Sequence, residues 1–154
     1  MSLCVRDVMV RDVVTVDSDY SVRYAARMMD YFGISCLVAM SKEKIVGILT
    51  QGDIMTRIVA EGCDPEKVMV SGVMSKPVMV VSPTMPLEDA VKVMFKRRIK
   101  KLIVVSKEKA SSRLVGLLNL TDIARLQPQM IETIKELLPM GTQAAEETVD
   151  FYVR

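Results

Sequence analysis

Val46-Gly47-Ile48-Leu49-Thr50-Gln51-Gly52-Asp53-Ile54 decides the fold, because the chain carries the pattern twice: it returns 69 positions later as Val115-Gly116-Leu117-Leu118-Asn119-Leu120-Thr121-Asp122-Ile123. In each copy an apolar run suited to a buried strand ends in a hydroxyl or amide residue, with aspartate three positions on. That is the signature of a strand handing over to a helix. Internal repetition settles architecture ahead of local propensity. Working outward, Gly33-Ile34-Ser35-Cys36-Leu37-Val38 returns as Arg98-Ile99-Lys100-Lys101-Leu102-Ile103, 65 positions later. The same offset carries Asp7-Val8-Met9 and Val13-Val14-Thr15-Val16 onto Gly72-Val73-Met74 and Val78-Met79-Val80-Val81. A longer polar loop around 107–113 accounts for the growth of the offset.

Each half reads as strand, helix, strand, strand, helix. The β-branched runs Val13 to Val16 and Val78 to Val81 suit buried strands. Helices follow, with apolar residues at i, i+3, i+4, i+7: Val22, Ala25, Ala26 and Met29 in the first, Leu87, Ala90, Val91 and Met94 in the second. Ser21 is placed to cap the first helix, and Pro86 with Glu88 and Asp89 suits the start of the second. Strands at Cys36 to Ala39 and Ile45 to Leu49 match Leu102 to Val105 and Leu114 to Leu118, and closing helices start near Gln51 and Leu120. The fold class is thus mixed α+β, two β-α-β-β-α repeats. Each small sheet needs its apolar face covered, and packing the halves about a pseudo-twofold axis would cover both. The expected division is residues 1–65 for repeat 1, 66–127 for repeat 2, and 128–154 for an amphipathic helix and tail carrying Met130, Ile131, Ile134, Leu137 and Leu138. The connection Gly62 to Lys67, with Asp64-Pro65, reads as a hinge.

Composition removes several function classes. Of 154 residues half are apolar and 26% charged, enough for a real core. Histidine is absent, which takes away the commonest general base and metal ligand. No Ser or Cys has a histidine partner and there is no GxxxxGK loop, so no catalytic residues are assigned. Cys4, Cys36 and Cys63 form no CxxC pair and read as small buried hydrophobes, and the 13 methionines lie on helix stripes and strand starts, as core fillers do. No metal is expected. Net charge is only +2, so nucleic acid is not the expected partner despite Lys96, Arg97, Arg98, Lys100 and Lys101. With no membrane-length apolar stretch and no signal pattern, a cytoplasmic protein is expected.

The chemistry lies at the repeated turn. A carboxylate can accept hydrogen bonds from both hydroxyls of a ribose, and a hydroxyl suits a phosphate. The bland alternative is that Thr50 with Asp53, and Asn119 with Asp122, only cap helices, worth about 1 kcal/mol each without any ligand.

The two copies of the opening Val-Met, the Val-rich first strand, the Ile/Leu-rich second strand and the Gly-x-x-(Thr/Asn)-x-x-Asp turn resemble the CBS (cystathionine β-synthase) domain family, over about Val5 to Gln127. The resemblance implies a tandem CBS pair, or Bateman module, that binds an adenosine-containing small molecule (AMP, ADP, ATP, NAD or S-adenosylmethionine) and regulates a partner protein. In this family each site draws on both repeats. The main nucleotide site would take Thr50, Asp53, Val78, Met79, Ile99, Lys100 and Lys101, the lysines offsetting phosphate. The second would take Asn119, Asp122, Val13, Val14, Ile34, Ser35 and Cys36. Asn119 departs from the family's usual Thr or Ser. The resemblance further implies a homodimer, no catalytic cofactor and no membrane. Two other classes remain: a ligand-independent dimerisation module, and a nucleic-acid binder using Lys96 to Lys101.

Overall fold

A computed structural model describes residues 2–108, 111–130, 132 and 136. It divides into two compact units, one formed by residues 13–78, the other by residues up to Asp12 together with those from Met79 on. Compactness and sequence repetition therefore follow different lines. The lead segment of each repeat lies in the unit built around the other repeat's hairpin.

The 13–78 unit is a three-stranded sheet in the order β1-β2-β3, formed by β1 (Thr15–Asp17), β2 (Cys36–Ser41) and β3 (Lys44–Thr50). β1 runs parallel to β2, and β2 is antiparallel to β3. Two turns of sequence logic hold here. Ser21 Oγ accepts from Tyr24 N, capping α2 (Val22–Phe32; the short α1, Val5–Val8, belongs to the other unit), whose Val22, Ala25 and Met29 are buried. These side chains pack with Val16, Leu37, Leu49 and Ile58 into one core. The expected strand from Val13 begins only at Thr15, although Val38 N still donates to Val14 O at 3.2 Å. Residues 62–67, read from the sequence as a hinge, lie inside this unit, where Arg23 N donates to Pro65 O and the Arg23 guanidinium pairs with Glu66.

The second unit repeats the plan with β4 (Val80–Val81), α3 (Leu87–Arg97), β5 (Lys101–Glu108) and β6 (Ser111–Asn119), the sheet order being β4-β5-β6. Leu87, Ala90, Val91 and Met94 are all buried, as their spacing requires. The hairpin is longer than its apolar residues suggest. Its ladder continues through Lys107↔Ser112 to Glu108↔Ser111, because backbone pairing needs no apolar side chain where both faces meet water. Arg98 ends α3 at φ 57, a left-handed position that Gly33 fills in the other unit. The helix expected after Pro128 falls, apart from Gln129, Met130, Glu132 and Glu136, outside the described residues.

Each unit is closed by a lead segment. In the second, Val5 N donates to Met85 O and Leu87 N to Leu3 O, which buries Val5 and Val8 in the core with Leu102, Leu118 and Ile123. Val10 and Leu117 then exchange both backbone hydrogen bonds at 2.9 Å. In the 13–78 unit Ser75 and Ile48 do the same at 2.8 and 3.1 Å. The glycine of the repeated turn makes this approach possible. A Cβ on Gly47 would stand 2.4 Å from Met74 Sδ, and one on Gly116 would stand 2.4 Å from Met9 Sδ.

Gly47→Ala and Gly116→Ala should each therefore lower stability by about 1–3 kcal/mol, the usual cost of overpacking. Urea unfolding measures it, and a change under about 0.5 kcal/mol would show that the methionines yield freely. Arg98→Gly should act in the opposite direction, by up to about 1 kcal/mol, since glycine takes the left-handed conformation without a Cβ penalty.

Candidate functional site

Thr50 ends β3 and caps the short helix α4 (Gln51–Ile54). Its Oγ1 accepts from Asp53 N at 3.1 Å, and Asp53 Oδ2 accepts from Thr50 N at 3.0 Å, a reciprocal capping box. Asp53 is buried, yet its other oxygen is also engaged. Ser75 Oγ donates to Oδ1 at 3.2 Å, and Arg57 Nη1 lies 3.7 Å from the same atom. Arg57 belongs to the π-helical turn Met55–Val59 that continues α4, and it also donates to Val73 O. Asp53 thus ties the turn to the lead segment 70–75.

The matching turn in the other unit is built differently. Asn119 caps α5 (Leu120–Leu126), its Oδ1 accepting from Thr121 N at 3.1 Å rather than from the residue three positions on. The Asp122 carboxylate is half-buried and makes no hydrogen bond or ion pair among the described residues. The cause is visible in the repeat. Val10 stands where Ser75 does against its hairpin, and Leu126 stands where Arg57 does after the aspartate. Neither side chain can donate a hydrogen bond.

The remaining candidates fall as follows. Val13, Val14, Ile34, Ser35, Cys36 and Val78 lie in the 13–78 unit with Thr50 and Asp53, whereas Met79, Ile99, Lys100 and Lys101 lie in the other with Asn119 and Asp122. Within the first unit Cys36 pairs with Thr50, and Gln51 N donates to Ser35 O at 3.0 Å. Within the second, Lys101 pairs with Asn119, and Leu120 N donates to Lys100 O at 2.9 Å. The sets proposed from the sequence draw on both units. Sequence reasoning missed Ser75 and Arg57. For Arg57 a signal was present, since a carboxylate and a guanidinium four apart on a helix face each other.

Among the described residues no group of three or more His, Cys, Asp or Glu is placed to hold a metal ion, and no helix is long and apolar enough to cross a membrane. Of the cysteines only Cys36 is buried, and Cys63 is exposed, contrary to its reading as a core residue.

Comparison with known proteins adds a family. The CBS domain model matches residues 5–60 and 70–128. An uncharacterized protein of Methanopyrus kandleri is 30% identical over 136 residues, 88% of this chain and 68% of its own length. Inosine-5'-monophosphate dehydrogenase of Korarchaeum cryptofilum is 34% identical over 114 residues, 74% of this chain but only 22% of the enzyme. Among solved structures, a CBS domain pair in complex with 5-methylthioadenosine and S-adenosyl-L-methionine superposes with a TM-score of 0.72 at 26% identity, covering 82% of this chain and 96% of that one.

Asp53→Ala should cost about 1–2 kcal/mol, because it removes a cap and strands the donors of Thr50 and Ser75. Asp122→Ala should cost no more than about 0.5 kcal/mol, as a substitution that breaks no side-chain hydrogen bond or ion pair among the described residues. Equal losses in denaturant titrations would contradict the contrast between the two carboxylates.

Proposed function

Since the chain belongs to the CBS domain family and carries the domain twice in tandem, we propose that it is a regulatory module that binds an adenosine-containing ligand and, through it, modulates a partner protein. The observation that carries this is Asp122, a half-buried carboxylate in the first turn of α5, just after β6 ends, with its acceptor sites unused by the described residues. Such a group can take both hydroxyls of a ribose, each oxygen having two lone pairs. Asp53 retains part of that capacity. The solved pair with 5-methylthioadenosine and S-adenosyl-L-methionine supports an adenosine ligand as the class. In the unit that carries Asp122, Lys100, which is exposed, and Lys101 supply positive charge for a phosphate and Met79 and Ile99 supply apolar surface for a base; in the 13–78 unit that surface is supplied by Val13, Val14, Ile34 and Val78. The role is regulatory rather than catalytic, and the compartment is the cytoplasm.

Self-association belongs to the same proposal. Tyr31, Met55 and Val59 are 83, 63 and 70% exposed, apolar helical residues of a kind that a second copy covers. Light scattering should give a dimer, and a monomer at every concentration, with and without nucleotide, would refute it.

A second reading, a ligand-independent interaction module, is favoured by one fact: Asp53 is already satisfied internally. Thermal unfolding decides between them. A ligand at 100 times its Kd that binds only the folded state adds about 2.7 kcal/mol, a shift of several degrees in Tm. AMP, ATP, NAD or S-adenosylmethionine should give such a shift in the native chain. No shift with any of them would favour the second reading.

A further inference from the structure

Cations are not spread evenly along the chain. Residues 92–101 hold six lysines and arginines and no acid, whereas the whole protein is only +2, so the remainder is net negative. Net charge therefore understates the field at this one place. The six sit on the last turns of α3, on its left-handed end at Arg98 and on the start of β5. Lys92 is offset by Glu88 at 3.2 Å. Lys96, Arg97 and Lys100 are exposed, and Arg98 and Lys101 are half-buried. Asp122 stands three residues after Asn119, the pairing partner of Lys101, and offsets one charge at most.

The fold does not require these cations. In the 13–78 unit the same helix end and strand start are built from Tyr31, Phe32, Gly33, Ile34, Ser35 and Cys36. Cations in the last turn of a helix complement its dipole, which is a reason for Lys96 and Arg97 but not for Lys100 and Lys101. Nor does it explain an arginine at a left-handed position, where glycine fits better. The surface around them also has no apolar anchor. None of the large apolar side chains exposed among the described residues lies between 87 and 101, and Phe95, the one aromatic described in this unit, is half-buried against the core. A protein interface needs such anchors at its centre, and the reading of bases needs rings to stack on. Phosphates need neither.

We propose that the turn from Lys96 to Lys101 is a binding site for the phosphate backbone of a nucleic-acid strand, held by charge and without regard to base sequence. Five cations in six residues match a polymer that carries a charge at every nucleotide. An arginine takes a phosphate through two parallel hydrogen bonds, and a lysine takes it as a point charge. Lys100 and Lys101 are shared with the phosphate contact of the adenosine reading. Lys96 and Arg97 lie outside it, so this site does not depend on an adenosine ligand.

Fluorescence anisotropy on the full chain tests it, with two labelled single-stranded 20-nucleotide RNAs of unlike sequence. Both should bind alike, within about twofold, since no base is read. With four phosphates neutralised, raising salt from 50 to 200 mM should weaken binding about fiftyfold. Lys96→Gln with Arg97→Gln should weaken binding at 50 mM salt about tenfold and halve the salt dependence. Lys107→Gln with Arg113→Gln, an equal loss of exposed charge on the β5-β6 hairpin, should change it less than about threefold. Equal losses in the two variants would assign binding to net charge and overturn the proposal, as would no binding at 50 mM salt. So would displacement of the RNA by polyglutamate as readily as by unlabelled RNA, which points to an acidic protein instead. Should the Lys96 and Arg97 double variant fail to fold by circular dichroism, Lys96→Gln alone should lose about threefold. No loss there would equally overturn the assignment.

Discussion

Two methionines lying on two glycines hold this protein in its form. Met74 Sδ and Met9 Sδ occupy the space that a Cβ would take at Gly47 and Gly116, and on that approach Ser75 and Val10 bond to the backbones of Ile48 and Leu117. Each three-stranded sheet thereby gains an edge that its own repeat does not supply. A sheet of that size buries too little apolar surface to be stable alone. The lead segment adds the missing side chains, Val5 and Val8 in one unit and Val70, Val73 and Met74 in the other, all buried. Folding of either unit thus depends on chain from both ends of the sequence repeat.

The same closure sets the chemistry of the turns. Once Met74 is seated, the next residue falls beside Asp53, and a serine there donates to the carboxylate. When Met9 is seated, the next residue is a valine, and among the described residues nothing takes up the acceptors of Asp122. Two positions, Ser75 against Val10 in the lead segment and Arg57 against Leu126 four residues after the aspartate, thus make unlike turns on a shared scaffold.

Much of this was legible in the sequence, and the exceptions have physical causes. The helices declared themselves through Val22, Ala25 and Met29 and through Leu87, Ala90, Val91 and Met94, since burial on one helical face leaves a periodic trace. Thr50 and Asp53 were legible as a cap for the same local reason. The long β5-β6 hairpin was not, as Lys107 pairs with Ser112 and Glu108 with Ser111 along the backbone, which leaves no hydrophobic pattern. Nor was the crossing of the lead segments, because Val-Met followed by a glycine turn reads identically whichever sheet the methionine joins. The partnership of Ser75 with Asp53 spans 22 residues, and no local pattern encodes it. The division into units follows from that crossing and therefore differs from the division at residue 65 that repetition suggests.

The most direct test of the account is a crystal structure of the full chain grown with AMP and S-adenosylmethionine together. The account expects ribose hydroxyls within hydrogen-bonding distance of the Asp53 or Asp122 carboxylate. Ribose bound away from both carboxylates, or both aspartates free of ligand at saturating concentration, would contradict it.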